Sequence, residues 1–186
     1  MEKKNIPFSP PDIGEDEINE VGEAMRSGWI TTGPRTKKLE TELKEYCSSA
    51  GLVCLNSATA ALELNLRMLG IGEGDEVIVP AYTYTASASP IAHVGAKIVF
   101  VDSKKDSTDL DYEQVENAVN ERTKAIISVD LGGIIADYDS SFKIAEEKKN
   151  LFTPSNDIQQ KIGRIAVIAD CAHSLGAVRN GKKAGS

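Results

Sequence analysis

The 186-residue sequence lacks the features that mark several large classes of protein. It has only three cysteines, Cys47, Cys54 and Cys171, and no paired short spacing among them. This pattern argues against a disulfide framework or a zinc cluster and suits a reducing compartment, so we expect a cytoplasmic protein. No apolar run approaches the ~20 residues of a membrane-spanning helix. The first seven residues are followed by no apolar run of the kind found in a signal peptide.

The sequence also lacks an excess of basic charge. It has 21 Lys and Arg against 28 Asp and Glu, which gives a formal net charge of −7. We therefore expect no nucleic-acid binding, because such binding depends on neutralising phosphates. Hydrophobic residues make up 41% and charged residues 26% of the chain, as in ordinary globular proteins. The length fits one domain, or the larger part of a two-domain protein.

A glycine-rich nucleotide loop after a strand is missing as well. The glycines of residues 70–74 precede an apolar run, so they indicate a turn and not a dinucleotide site. A nicotinamide-dependent oxidoreductase is therefore a weak alternative.

What the chain does have is a regular alternation of short apolar runs with helical patterns. Continuous apolar strands that alternate with helices predict a mostly parallel sheet flanked by helices, the α/β class. We expect residues 1–50 to form an amino-terminal helical segment and residues 51–186 to belong to an α/β domain. The predicted strands lie at residues 52–55, 76–79, 97–101, 125–129 and 165–169. The predicted helices begin near residues 15, 34, 60, 85, 111, 141 and 155, and Asn180-Gly181 predicts a hairpin turn.

Polar residues are concentrated at the predicted carboxyl ends of these strands, where ligands bind in such folds. Residues 56–59 open a helix and include small side chains, so they could cradle a phosphate, although this segment alone favours a simple helix cap by Ser57 or Thr59. A tyrosine of the Tyr82-Thr83-Tyr84 segment could lie on a flat ring, although aromatic residues at strand ends more often belong to the core. Asp170 could cap a helix or accept from a protonated ring nitrogen.

The residues after Asp170 allow a second interpretation. Asp170, Cys171 and His173 could be taken for a nucleophile site, but their close spacing does not predict a catalytic triad. His173 could equally be a structural histidine. A phosphate cradle, a stacking aromatic and a strand-end aspartate, in this order, are together the parts needed to hold pyridoxal phosphate, whose ring nitrogen must stay protonated.

Four segments of the chain resemble the DegT/DnrJ/EryC1/StrS family of pyridoxal-phosphate sugar aminotransferases, which have fold type I. The segments are residues 28–34 (GWITTGP), 56–62 (NSATAAL), 72–80 (GEGDEVIVP) and 170–174 (DCAHS). The family often has a histidine in the motif after the fourth strand, where this chain reads Val129-Asp130-Leu131-Gly132-Gly133, and this departure bears on local contacts and substrate choice.

The resemblance implies a homodimer that acts on a nucleotide-linked keto sugar with glutamate as amino donor. It implies cofactor-binding roles for Ser57, Ala58 and Thr59 at the phosphate, for Tyr84 on the ring, for Asp170 at the pyridine nitrogen and for His173 beside the ring. It also implies that Trp29, Ile30 and Thr31 lie close to the substrate or a neighbouring subunit.

The family's Schiff-base lysine and carboxyl-terminal domain are expected beyond Ser186. We therefore expect the chain to be the amino-terminal portion of an aminotransferase, inactive alone. Two alternatives remain: a sugar dehydratase of the same family, and a non-catalytic binding or assembly fragment.

Overall fold

The computed structural model describes Pro7 and residues 10–186; residues 1–6, which entered the signal-peptide argument above, lie outside the described part. Seven α-helices and six strands form in this part of the chain. The helices are α1 (Glu15–Arg26), α2 (Pro34–Cys47), α3 (Ala58–Met68), α4 (Thr85–His93), α5 (Tyr112–Ala118), α6 (Tyr138–Glu147) and α7 (Asp157–Ile162). The strands are β1 (Glu76–Pro80), β2 (Lys97–Val101), β3 (Thr123–Val129), β4 (Ala166–Asp170), β5 (Val178–Arg179) and β6 (Lys182–Lys183).

The first four strands form one parallel sheet in the order β2-β1-β3-β4. Successive side chains of each strand point to opposite faces. On one face Val77, Val79 and Ile127 pack with Leu62 and Leu66 of α3 and with Ile91 of α4. On the other face Ile78, Ile126 and Ile165 pack with residues of α5 and α6. The predicted α/β class, with a parallel sheet flanked by helices, is confirmed.

Helices α1 and α2 precede the sheet. Helix α1 has the expected acidic first turn, and Glu17 accepts a 2.7 Å hydrogen bond from the backbone N–H of Gly14. Its apolar side chains Ile18, Val21 and Met25 nevertheless remain more than half exposed. Among the described residues no helix is both long enough and apolar enough to cross a bilayer.

The predicted strand at residues 52–55 is wrong. The structure gives this segment no strand, and Val53 is 74% exposed. Its one hydrogen bond to a distant side chain runs from the backbone N–H of Cys54 to the Glu40 carboxylate, at 3.1 Å. A strand needs a neighbour to share its ladder of hydrogen bonds, and none of the described strands pairs with this segment. Apolar composition alone was therefore misleading here.

Smaller differences concern element ends. Strand β4 extends to Asp170, so this residue ends the strand instead of following it. Helix α6 begins at Tyr138, three residues before the predicted start. Asp111 caps α5 as expected, through bonds from the N–H groups of Glu113 and Gln114. The hairpin at Asn180-Gly181 is confirmed, because β5 and β6 pair across it.

A buried carboxylate anchors the end of the sheet away from the strands' carboxyl ends. Glu76 is 2% exposed and accepts hydrogen bonds from Lys97 (3.1 Å), Asn120 (2.8 Å) and Arg122 (2.9 Å to Nε). Burial by itself raises the pKa of Glu76, but these donors together outweigh it and hold the pKa at about 2, below the usual 4.5.

We expect Glu76→Gln to lower the free energy of unfolding by about 1.5–3 kcal/mol at pH 7, the range for hydrogen bonds to charged groups. Because the folded-state pKa of Glu76 is depressed, its contribution is full above the unfolded-state pKa and declines as the pH falls from about 4.5 towards 2. Denaturant melts of the two proteins should therefore converge on acidification. The exposed Glu121→Gln is the control, and a difference that stays constant across this pH range would contradict the assignment.

Candidate functional site

A cavity lies at the carboxyl ends of the strands, where the sequence places its polar residues. It is bounded by the first turn of α3, the segment that leads into α4, and the ends of β3 and β4. Five of the predicted cofactor-binding residues line it together: Ala58, Thr59, Tyr84, Asp170 and His173. Four segments that are distant in sequence thus meet at one place.

The amino-terminal end of α3 forms one wall of the cavity. Ser57 is the N-cap, and its hydroxyl accepts a 3.0 Å hydrogen bond from the N–H of Ala60. The prediction that the Ser57 side chain caps the helix is therefore confirmed. The N–H groups of Ala58 and Thr59 have no partner within the helix, because first-turn N–H groups never do, and the helix dipole favours an anion beside them.

Asp170 forms the opposite wall and is 8% exposed. Its Oδ2 accepts a 2.7 Å hydrogen bond from the Ser87 hydroxyl, and its Oδ1 accepts from the N–H of Ala172 at 3.2 Å. The Ser87 hydroxyl also lies 2.8 Å from that of Thr83. Asp170 takes part in none of the ion pairs formed by the described residues. Each carboxylate oxygen keeps a free lone pair for a further donor.

Ser87 was missed by the sequence analysis. It is 1% exposed and lies on the buried face of α4 with Ala88 and Ile91. A polar residue on a buried helix face needs a hydrogen-bond partner. The rule predicts that Ser87 has a partner, but it does not identify that partner as Asp170, which lies 83 residues away in the sequence.

Cys171 is not suited to be a nucleophile. Burial, and next the charge of Asp130, raise the pKa of its thiol to about 11. The thiol therefore stays protonated at neutral pH, whereas the thiolate is the reactive form. This removes the physical basis for the nucleophile-site alternative.

His173 and Tyr84 have the exposed ring side chains of the cavity lining. The Nδ1 atom of His173 lies 3.4 Å from the backbone N–H of Gly132, and Tyr84 is 75% exposed at the start of α4. The other histidine, His93, lies on the surface, where its Nδ1 is 2.8 Å from the Glu63 carboxylate.

Trp29, Ile30 and Thr31 are not among the residues that line the cavity. They lie in the exposed link between α1 and α2, where the indole N–H of Trp29 donates to the carbonyl of Thr32 at 3.1 Å. Trp29 is 58% and Ile30 is 79% exposed. Their expected contact with a substrate or a second subunit stays a prediction.

Comparison with known proteins supports the family suggested by the sequence motifs. The chain is 38% identical over 185 residues to the UDP-4-amino-4-deoxy-L-arabinose–oxoglutarate aminotransferase of Shewanella sediminis, a match that takes in 100% of this chain and 44% of that protein. The chain thus spans less than half the length of this relative.

Solved structures give the same result. Spr1654 of Streptococcus pneumoniae, described as a sugar aminotransferase and solved in PMP, PLP and apo forms, is 55% identical with a TM-score of 0.96. In the PMP form the match covers 98% of this chain and 46% of that one. GDP-4-keto-6-deoxymannose-3-dehydratase, solved with a trapped PLP-glutamate geminal diamine, is 27% identical with a TM-score of 0.82, over 98% of this chain and 45% of that one.

The model of the DegT/DnrJ/EryC1/StrS aminotransferase family matches residues 11–186, which is nearly the whole chain. The chain belongs to the DegT/DnrJ/EryC1/StrS aminotransferase family, whose members depend on pyridoxal phosphate.

Proposed function

We propose that the cavity binds pyridoxal 5′-phosphate and that the whole protein transfers an amino group from glutamate to a nucleotide-linked keto sugar. The observation that carries the proposal is the composition of the cavity. A helix amino-terminus, an aromatic side chain and a buried carboxylate without a cation line the same space.

The residues present fit this cofactor. Ala58 and Thr59 would offer backbone N–H groups, and Thr59 its hydroxyl, to the phosphate, while Ser57 keeps the first turn in shape through its cap. The ring of Tyr84 would cover one face of the pyridine ring. Asp170, held by Ser87, would accept from the ring N–H and keep that nitrogen protonated.

His173 and the bound group complete the proposed site. The imidazole of His173 would donate or accept at the ring edge, beside the phenolic oxygen. Pyridoxal phosphate, when bound, would supply an electron sink for the negative charge that develops beside the reacting amino group. These residues of the chain would bind the cofactor and orient it.

The proposed substrates, a nucleotide-linked keto sugar and glutamate, are inferred from the name of a relative. The name of the Shewanella sediminis protein contains a nucleotide-linked amino sugar and oxoglutarate, the keto acid that glutamate leaves behind when it gives up its amino group. We extend this substrate class, and not the particular sugar, to the present protein.

Sugar dehydration is the second candidate, because a dehydratase structure covers 98% of the chain with the same fold. Amino transfer is preferred, since the aminotransferase relatives are 38% and 55% identical against 27% for the dehydratase. A non-catalytic binding or assembly role of the fragment is the third reading.

We also propose that the whole protein is a homodimer in the cytoplasm. The exposed apolar side chains of Met25, Trp29 and Ile30 support this proposal, because an interface with a second copy of the chain would cover them. The cysteines are all free, as in a reducing compartment.

The test is a product analysis on the whole protein loaded with pyridoxal phosphate and supplied with glutamate and nucleotide-linked 4-keto sugars. The proposal expects 2-oxoglutarate and a nitrogen-containing sugar in equal amounts. A deoxy sugar without added nitrogen would favour the dehydratase. Specific cofactor binding without either product would favour the binding role, and no cofactor binding would contradict the proposal.

A further inference from the structure

A second buried carboxylate belongs to a residue that lies in sequence between the cavity residues Val129 and Leu131 but is not itself part of the lining. Asp130 follows β3 and is 0% exposed. It takes part in none of the ion pairs formed by the described residues. A buried charge of this kind is costly unless hydrogen bonds satisfy it.

Three donors satisfy the Asp130 carboxylate, and they come from two segments. Its Oδ1 accepts from the backbone N–H of Ala136 at 3.0 Å and from the Tyr138 hydroxyl at 2.7 Å. Its Oδ2 accepts from the Ser174 hydroxyl, also at 2.7 Å. Burial, and next the hydrogen bond to Asp130, raise the pKa of Tyr138 far above its usual value, so this hydroxyl remains a donor.

The bond to Ser174 reaches the turn that carries cavity residues. Ser174 is 1% exposed and lies in the turn of residues 172–176, which follows Asp170 closely and includes the cavity residue His173. Another contact between this turn and the end of β3 joins the backbone N–H of Gly132 to Nδ1 of His173 and is longer, at 3.4 Å. The Cys171 side chain also lies close enough to Asp130 for that carboxylate to raise the pKa of its thiol. The backbone N–H of Asp130 also donates to the carbonyl of Asp170 at 3.0 Å.

We propose that Asp130 is a positioning residue which, through Ser174, fixes the turn that presents His173 to the cofactor. The inference rests on the proposed function, because it assumes that the cavity binds pyridoxal phosphate. A carboxylate suits this role since its two oxygens accept from all three donors at once.

Two hydroxyl deletions provide a matched test. Ser174→Ala and Tyr138→Phe each remove one 2.7 Å hydrogen bond to the same carboxylate, but only Ser174 belongs to the turn at the cavity. In the whole protein, Ser174→Ala should weaken pyridoxal phosphate binding about 10-fold or more, the loss typical when the outer partner of a ligand-holding group is removed. Tyr138→Phe should change the dissociation constant less than about twofold, whatever its effect on the melting temperature.

A double-mutant cycle then tests the route of the effect. In a His173→Ala background, Ser174→Ala should cost little further affinity, because the residue that it positions is gone. Equal losses for Tyr138→Phe and Ser174→Ala, or full additivity with His173→Ala, would overturn the positioning role. The failure of the unmodified protein to bind the cofactor would be seen before any variant is made, and it would overturn the proposed function and this inference together.

Discussion

Asp170→Asn should lower the rate of amino transfer by the whole protein about 10²- to 10³-fold, the loss expected when a preorganised electrostatic partner is removed. The neutral amide can keep a hydrogen bond to Ser87, so the local structure should survive. It has no charge with which to hold a proton on the ring nitrogen, and each unit of lost pKa costs about 1.4 kcal/mol. Cofactor affinity should fall much less than the turnover rate.

The matched control for this variant is Asp102→Asn. Asp102 also follows a strand of the sheet, but it is exposed and its Oδ1 accepts from the N–H of Ser103 at 2.7 Å, away from the cavity lining. Its turnover should stay close to that of the unmodified protein. Equal rates for the two variants would remove Asp170 from the site.

Ala58→Asp should weaken pyridoxal phosphate binding at least about 10²-fold. Two like charges about 4 Å apart near a protein surface repel by about 4 kcal/mol, and Ala58 is the first residue of α3 at the proposed phosphate position. The helix itself should tolerate the change, because an acidic residue in the first turn interacts favourably with the helix dipole. A titration of cofactor absorbance measures the dissociation constant.

Two controls separate phosphate repulsion from a general defect. Asn65→Asp adds the same charge to an exposed position farther along α3 and should leave the affinity nearly unchanged. Pyridoxal, which lacks the phosphate, should bind the Ala58→Asp variant as well as it binds the unmodified protein. If the variant lost pyridoxal and pyridoxal phosphate to the same degree, the phosphate could not lie at this helix end.

The parts of the fold that depend on local pattern could be predicted from the sequence. Four of the five apolar runs are strands of the sheet, and the Asn180-Gly181 turn forms the expected hairpin. The exception is the run at residues 52–55, because strand formation depends on a partner and not on composition alone. Thr59, Tyr84 and Asp170 line one cavity. Their proximity could be predicted, because the carboxyl ends of parallel strands meet at one edge of the sheet.

The hydrogen bonds that hold the site in shape could not be predicted. Ser87 bonds to Asp170 across 83 residues, and Asp130 bonds to Ser174 across 44. Nothing in the local sequence selects one buried polar partner among several, since this choice is made by the packing of helices on the sheet. The pattern can show that a buried serine or aspartate needs a partner, and only the structure shows which one it has.

The most direct test of the central claim is a crystal structure of the whole protein with pyridoxal phosphate. The account predicts the phosphate within hydrogen-bond distance of the N–H groups of Ala58 and Thr59, and the ring nitrogen within that distance of the Asp170 carboxylate. A cofactor bound elsewhere, or bound here with the phosphate turned away from α3, would contradict it.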